Sequence, residues 1–364
     1  MEKLTGLITA NYSTKYPSVL SESRPVASMP YLGRYRVVDF ALSNMVNCGI
    51  RTVGMIMPYN YRSLIDHVGS GRDWDLNRKK GGLFILPGSA FGTSRTGSRF
   101  LLRDLEHNKV FLERSKSDLV VVSSASFVYN MDYGEVTDAH RKSGADVTVI
   151  TKTATKKDVD VTGFNVDGTR VKGVKHGVVF GDTAFIDCFV VGRDLLLQML
   201  EWYKATDYLD LFEAMAGDYA RVNVQTYNYE GYVAAIFNKD AYFESNMDLL
   251  DPQTTEELFP KDRPIRTKAH DNAPAKFETG SRVTNSRVSG SCRIYGSVSN
   301  SILGRSVIVE SGATVNNSIV MQSCVIKAGA RVENAIVDRN NVVPAGTELR
   351  GTPDALFIKE KAAE

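Results

Sequence analysis

Continuous apolar runs alternate with helical spacings over the first two-thirds of the chain and then give way to a shorter period. LTGLIT (4–9), TVGMIM (52–57), LVVVS (119–123) and DVTVIT (146–151) are rich in Val and Ile with little polar alternation, the pattern of strands buried on both faces. Between them, residues 40–48, 61–67 and 101–115 keep apolar side chains three and four apart, which predicts helices. Strands separated by amphipathic helices imply an α/β fold on a mixed, mainly parallel sheet. Such sheets bind ligands at the carboxyl ends of their strands, so chemistry is expected in the loops after Thr9 and Ser123.

The texture changes at 251–276, where DPQTTEELFPKDRPIRTKAHDNAPAK holds four prolines and many charges; this reads as a linker between residues 1–250 and 277–364. Beyond it, every sixth position from Val307 is Val307, Ala313, Ile319, Val325, Arg331, Val337, Val343 and Leu349, and only Arg331 breaks the apolar phase. The neighbouring phase is Ile302, Ile308, Thr314, Val320, Ile326 and Val332. One inward aliphatic every six residues predicts a left-handed parallel β-helix of hexapeptide repeats. All five histidines (His67, His107, His140, His176, His270) precede it, so it lacks the histidine general base that an acyl-transferring β-helix needs. Packing and assembly remain as its expected work, in a homo- or hetero-oligomer.

Composition narrows the classes. The 44 basic and 42 acidic residues nearly cancel, which argues against nucleic acid or a membrane surface as partner. Cys48, Cys188, Cys292 and Cys324 are scattered without a CxxC pair, as expected of reduced thiols. No run reaches the ~18 apolar residues of a membrane span, and the first residues have too short an apolar core for a signal peptide. A soluble, cytoplasmic protein is the expectation.

Four blocks carry a family resemblance: GRYRVVDFALSNMVNCGIRTVGMIM (33–57), GSGRDWDLNRKKGGLFILP (69–87), YNMDY (129–133) and KDAYFESNMDLL (239–250). They closely resemble segments of the bacterial ADP-glucose pyrophosphorylases (glucose-1-phosphate adenylyltransferases), and the hexapeptide tail completes the order. With RPVASMP (24–30), the chain looks most like the D-type regulatory branch (GlgD), which accompanies a catalytic subunit. The resemblance implies a Rossmann-like, GT-A-like nucleotidyltransferase domain before the β-helix. It also implies the family reaction, ATP plus glucose 1-phosphate giving ADP-glucose and diphosphate, in glycogen biosynthesis.

Departures from the active pattern set the functional expectation. Active members follow the first strand with a glycine-rich loop, because backbone N–H groups must approach the triphosphate closely. Here Ala10, Asn11 and Ser13 replace the three glycines, Lys15 replaces an arginine, and Tyr12 adds bulk. Active members place one magnesium-binding Asp after a central strand and another near the end of the domain, where two carboxylates hold a bridging ion. The matching positions are Ser126 and Ala235. The family's E-K-P triplet is absent from RVKGVKHGVVF, which offers Lys175 and His176 instead.

No catalytic residue, nucleotide cofactor or metal site is therefore expected in this chain, and Mg²⁺ is expected in the catalytic partner's site. Arg24, Arg34 and Arg36 are candidates for a sugar-phosphate or phosphate effector, since a guanidinium meets phosphate with two hydrogen bonds. Asp39 and Asn44 read as structural groups near a helix start, Trp74 and Asp75 as inherited cleft residues, and Asp73, Lys79 and Lys80 as solvated. The leading expectation is a non-catalytic regulatory or scaffold subunit in a hetero-oligomer, a tetramer, with a catalytic adenylyltransferase subunit. Two alternatives stay open: weak or altered nucleotidyl transfer with Asp132 or Asp240 rebuilding the metal site, and a homo-oligomeric sugar-phosphate sensor.

Overall fold

A computed structural model describes residues 4–10, 19–22, 24–58, 60–88 and 99–361. Four parallel strands open the fold: β1 (Leu4–Thr9), β2 (Thr52–Met57), β3 (Gly82–Pro87) and β4 (Leu119–Ser124), side by side as β3-β2-β1-β4. The next are β5 (Phe127–Val128), β6 (Val147–Thr153), β7 (Asp158–Asp167), β8 (Arg170–Val178), β9 (Thr183–Gly192), β10 (Val224–Asn228) and β11 (Ala234–Ala235). The nine-stranded sheet runs β3-β2-β1-β4-β9-β6-β10-β8-β7, and β5 pairs with β11 in a separate ribbon.

The mainly parallel expectation holds for one half only. β9 lies antiparallel to both β4 and β6, and β7 and β8 form an antiparallel hairpin. That hairpin closes through Gly168, at φ 61°, and Thr169, a turn short enough to need no crossover helix. Continuous valines in β4 are explained by burial on both sides. Val121 packs with Ile8 and Met55 on one face, while Val120 and Val122 pack with Leu7, Ile56 and Phe189 on the other.

The expected helices form as Val37–Asn47 and Arg62–Val68, but 101–115 divides into Leu102–His107 and Lys109–Glu113. Asn108 sits at the break and donates through Nδ2 to the carbonyls of Asp104 and Pro87, each at 2.8 Å. A side-chain amide that competes for a helical carbonyl ends the helix locally. The stretch 251–276 contains a helix, Pro252–Leu258, capped by Asp251. Its remainder is laced to the α/β domain. Asn130 Nδ2 donates to the carbonyls of Leu258 and Arg263, and Lys268 Nζ to that of Asp66.

The C-terminal region is a parallel β-helix whose later coils repeat every 17 residues, as the register Thr314–Arg331–Glu348 shows. The six-residue count therefore drifts. Inward positions run Val309, Val315, Val320, Ile326, Val332, Val337, Val343 and Leu349, all buried, with steps of six, five and six residues. Thr314 and Arg331 point outward, which is why they broke the apolar phase.

The five-residue step is taken at an asparagine corner. Asn300, Asn317 and Asn334 adopt φ 45°, 43° and 48°, a left-handed conformation that asparagine tolerates. Asn317 Nδ2 donates to Asn334 Oδ1 at 2.6 Å. A second corner stacks Ser306, Ser323 and Asn340, and a third stacks Gly312, Gly329 and Gly346, all at positive φ.

The coil has three faces. One docks on the α/β domain, burying Ile302, Ile319 and Ile336 with Tyr31, Phe40 and Tyr242.

Candidate functional site

Two clefts arise from this arrangement. The first lies at the carboxyl ends of β1 and β4. Ala10 is buried, its N–H donating to the Ile56 carbonyl at 3.0 Å; Asn11, Tyr12, Ser13 and Lys15 lie outside the described residues. Ser126 is buried just past β4, and its carbonyl accepts from Ile236 N–H at 2.9 Å. Ala235 pairs with Phe127 across the β11–β5 ribbon. The fold thus brings Ser126 and Ala235 side by side, although 109 positions separate them in sequence. Neither side chain offers an anionic oxygen. Among the described residues, no group of three or more His, Cys, Asp or Glu side chains is arranged to hold a metal ion.

The carboxylates that might have rebuilt such a site are committed elsewhere. Asp132 Oδ1 accepts from Gly134 N–H at 2.7 Å and caps the helix Tyr133–Ser143. Asp240 pairs with Lys239 at 2.6 Å on the surface. Lys175 pairs with Asp182 at 2.5 Å, and His176 is largely exposed.

An ion pair that sequence reasoning missed lies beside this cleft. Arg99 and Asp187 are both buried, with Arg99 Nε against Asp187 Oδ2. The Arg99 guanidinium sits 4.6 Å from the centroid of the Phe237 ring, two residues past Ala235, and donates to Thr162 Oγ1 at 3.1 Å. Asp187 interrupts β9 at a register shift, next to Cys188, which pairs with Ser123 near the end of β4. Its φ is 53°. Burial pushes the Asp187 carboxyl up to about 7, against the opposing pull of Arg99. The two partners are 88 positions apart and neither belongs to a motif, so no local signal marks them.

The second cleft lies between the α/β domain and the β-helix. A cavity of about 170 Å³ is lined by Arg34, Arg36, Lys268, His270 and Arg305, with Tyr35 and Gln322. It adjoins a wider groove of about 660 Å³ that shares Arg34, Lys268, His270 and Arg305. Gly33 sets the approach of the two domains: at φ 67°, an added Cβ would stand 2.7 Å from the Leu303 carbonyl oxygen and 2.6 Å from Ser289 Oγ.

The cations here are held by carbonyls. Arg36 Nη1 donates to Ser63 O at 2.7 Å, Lys268 Nζ to Asp66 O at 2.5 Å and Arg305 Nη2 to Arg34 O at 2.8 Å. Among the described residues, none of Arg34, Arg36, Lys268 and Arg305 is in an ion pair. Their mutual proximity shows in their acidities. Burial lowers Arg36 to about 10, with Arg339 and Arg24 adding to the shift against Asp39. Burial and then Arg34 lower Arg305. Partial burial, followed by Arg305 and Lys268, holds His270 below its ordinary value. Asp66 also lines the cavity and its charge acts on Arg36, but the basic groups outnumber it, and preorganised donors in excess are what an anion binds.

Arg34 and Arg36 therefore line one cavity, but Arg24 does not join them. It is buried, donating to Asp338 Oδ2 at 2.7 Å and to Leu20 O at 2.9 Å. The effector reading of Arg24 is corrected on that ground. Its guanidinium is spent tying the α/β domain to the β-helix and has no surface left for a ligand. Lys268, His270 and Arg305 take its place; the first two stand in the basic run RTKAH, a signal lost in reading that stretch as a linker.

Asp39 and Asn44 bond backbone groups. Asp39 Oδ2 accepts from Arg36 N–H at 2.9 Å, and Asn44 bridges the Tyr129 carbonyl and the Met131 N–H. Trp74 is fully buried with its ring edge against His67, and Asp75 pairs with Arg266 at 2.5 Å. Asp73, expected to be merely solvated, accepts from Ala269 N–H at 3.1 Å. No helix among the described residues is long and apolar enough to cross a membrane.

Comparisons with known proteins agree with this layout. Residues 18–164 match the nucleotidyl transferase family, and residues 273–354 match the GlmU-like C-terminal hexapeptide family. The chain is 34% identical over 316 residues to the glycogen biosynthesis protein GlgD of Geobacillus stearothermophilus, covering 86% of this chain and 83% of that one. Against GlgD of Bacillus subtilis (strain 168), identity is 32% over 300 residues, covering 80% and 77%. The glucose-1-phosphate adenylyltransferase of Thermomicrobium roseum is 31% identical over 300 residues, covering 80% and 70%. With both regions matched and these relatives aligned over most of their length, the chain belongs to the nucleotidyltransferase family that includes the glycogen biosynthesis protein GlgD and the glucose-1-phosphate adenylyltransferases.

Proposed function

We propose that this chain is a non-catalytic regulatory subunit in glycogen biosynthesis. In this reading it assembles in the cytoplasm, as a hetero-tetramer, with a catalytic glucose-1-phosphate adenylyltransferase subunit whose own site holds Mg²⁺. The observation that carries it is the adjacency of Ser126 and Ala235 at the carboxyl edge of the sheet, where the active family pattern has two carboxylates. Removing one electrostatic contact to a transition state typically costs a factor of about 10² or more, and here both are missing together. The Arg99–Asp187 pair adds support, because it fills the neighbouring space with groups that neutralise each other.

Regulation would enter through the interdomain cleft. Arg34, Arg36, Lys268, His270 and Arg305 suit a sugar phosphate or phosphate, whose oxygens supply the anionic partners that these donors lack. Binding there would bear on the relation between the two domains, and so reach a partner through differential affinity for two states. The same reading takes the coil as left-handed and the first domain as Rossmann-like, of the GT-A kind.

Two measurements test it. The purified chain, given ATP, glucose 1-phosphate and Mg²⁺, is expected to show no diphosphate release above background. Co-expression with an intact catalytic subunit is expected to give a mixed complex with altered activity. Turnover by the chain alone at a rate near that of the mixed complex would sink the non-catalytic reading. Recovery of homo-oligomers alone would favour a sugar-phosphate sensor instead.

A further inference from the structure

The two members of the buried pair Arg99–Asp187 are held unequally. Arg99 is fixed from several sides. Its backbone N–H donates to Asp210 Oδ2 at 3.2 Å, and its guanidinium lies over the Phe237 ring. Nη2 donates to the Asp160 carbonyl at 3.3 Å and to Thr162 Oγ1 at 3.1 Å. None of these contacts depends on Asp187. The aspartate has nothing comparable: Oδ2 meets Arg99 Nε, and Oδ1 has no hydrogen-bond partner among the described residues. Burial raises its carboxyl, Arg99 opposes the rise and Asp210 adds to it. The cation is built into the fold, whereas the carboxylate is held by the cation.

The backbone does not favour an aspartate here either. At φ 53°, Asp187 is the one non-glycine residue in a described strand of the α/β domain that adopts the left-handed region, which glycine enters without cost. A buried ion pair is also weak ground for stability, since apolar residues of the same volume often do as well. What distinguishes the place is its position at the carboxyl edge, where such sheets bind ligands. Cys188 pairs with Ser123 of β4, and the next residue of β4, Ser124, pairs with Thr9 of β1. Asp187 thus comes into line with Ser124 and Thr9 across three neighbouring strands. Thr9 is buried, and its hydroxyl has no partner among the described residues.

We infer that Arg99, with the hydroxyls of Thr9 and Thr162, is a receptor for a small oxyanion, a carboxylate or a phosphate group, which the chain keeps filled with its own Asp187. The contact is autoinhibitory. The side chain stands in for the anionic end of a ligand and denies the place to one from solution. A guanidinium already fixed by its neighbours loses little freedom on meeting an oxyanion, so the receptor is complete once the space is vacated. Replacing Asp187 by glycine removes a group with the shape of acetate and relaxes the backbone at the same time. The inference concerns the chain by itself and stands whether or not a catalytic partner exists.

Thermal melts of the full chain at pH 8 test it, with inorganic phosphate or formate replacing chloride at constant ionic strength. The parent's own rise in melting temperature with anion, from the interdomain cleft, is the baseline. Asp187→Gly is expected to climb more steeply than the parent, by the slope of one more anion bound per folded chain. The titrant that produces the extra slope tells a phosphate site from a carboxylate site. Asp187→Asn, which keeps the volume, and Arg99→Met with Asp187→Gly, which removes the receptor, are each expected to climb as the parent does. An Asp187→Gly slope equal to the parent's in both anions overturns the inference, and so does an extra slope that survives Arg99→Met or appears in Asp187→Asn. If Asp187→Gly is unfolded in chloride, folding in phosphate or formate upholds the inference. Failure to fold in all three overturns it, because the carboxylate is then a fixture of the core and not an occupant. Failure of the non-catalytic reading shows differently, as diphosphate release by the parent.

Discussion

The two clefts handle charge in opposite ways. At the carboxyl edge of β1 and β4 the charged groups are Arg99 and Asp187, buried and mutually neutralised, beside the uncharged Ser126 and Ala235. Between the domains, Arg34, Arg36, Lys268 and Arg305 gather beside Asp66; among the described residues the last three of these cations donate to carbonyls and none of the four is in an ion pair. The first arrangement is electrically closed and the second is open to an anion. A fold can thus lose the means to stabilise a transition state while keeping the means to bind a phosphate, because the two reside in different layers. One depends on loops at strand ends, the other on the seam where the β-helix meets the α/β domain.

The sharpest break would come from the buried pair. Removing one member of a buried ion pair typically costs about 3–5 kcal/mol, because the survivor keeps its charge without compensation. Arg99→Met removes the cation whose pull opposes the burial of the Asp187 carboxyl and leaves that carboxyl buried alone. It is expected to lower the urea-unfolding free energy at pH 8 by that amount, and adding Asp187→Asn, which keeps the side-chain shape and tolerates the left-handed backbone of this position, is expected to recover much of it. A cost near zero for Arg99→Met would mean that the first cleft is open to water after all.

A smaller effect tests what the first cleft lacks. Ser126→Asp with Ala235→Asp sets two carboxylates at adjacent positions. In chelator the double variant is expected to melt below the parent, since the like charges repel in a buried place. Added Mg²⁺ is expected to restore about 1–3 kcal/mol, as a ligand at ten to a hundred times its Kd does by mass action. If Mg²⁺ shifts the parent equally, or leaves the variant unmoved, the missing carboxylates are not what distinguishes the clefts.

The second cleft is probed by Arg305→Ala. A charge-assisted hydrogen bond contributes roughly 1.5–3 kcal/mol, partly offset here by water, so sulfate or phosphate affinity is expected to fall about tenfold by calorimetry. Arg24→Ala is a contrasting change. It is expected to destabilise the domain seam, and any loss of anion affinity should vanish at temperatures where the variant is fully folded, since Arg24 faces Asp338.

How much of this could be read from the chain depends on how local each feature is. β1 and β2 were legible to the residue, because a strand buried on both faces writes its whole length in aliphatics. The β-helix was legible as a period, but six is only the average step around a triangular coil. The five-residue side at Asn300, Asn317 and Asn334 shifts the phase once per turn, and the glycines at 312, 329 and 346 mark the 17-residue spacing directly. Helix 101–115 failed at Asn108, whose side-chain bonds are tertiary as well as local. Ser126 and Ala235 were found by departure from a pattern, and chain folding then made them neighbours. Arg24 was misjudged because its partner, Asp338, lies in the other region, 314 positions away. The reversal of β9 and the Arg99–Asp187 pair are long-range in the same sense. Charge in a sequence shows where a cation is, but only the fold shows what it faces.

The smallest expected effect is a pH slope, and it separates the clefts by sign. His270 is held below its ordinary value by partial burial and by Arg305, Lys268, His67 and Arg36, so it is neutral in the empty cleft at neutral pH. A bound anion favours its charged form, so binding takes up a proton and affinity rises as pH falls through the histidine range. His270 faces the cavity together with Arg34, Arg36, Lys268, Arg305, Asp66 and His67, the last of which is bonded to Asp39 at 2.6 Å. With sulfate as a probe that does not itself titrate there, affinity is expected to rise two- to fivefold between pH 8 and pH 6, about 0.4–1 kcal/mol. His270→Asn is expected to flatten that slope while leaving the value at pH 8 nearly unchanged. Asp187, raised toward neutrality by its burial, acts on stability in the same direction. Its folded form binds a proton that the unfolded chain releases between pH 4 and 7, so its contribution to stability grows on acidification. Asp187→Asn removes that stability term and should not touch the sulfate slope. If His270→Asn leaves the slope intact, or Asp187→Asn abolishes it, the two clefts are electrostatically coupled and the contrast between them fails.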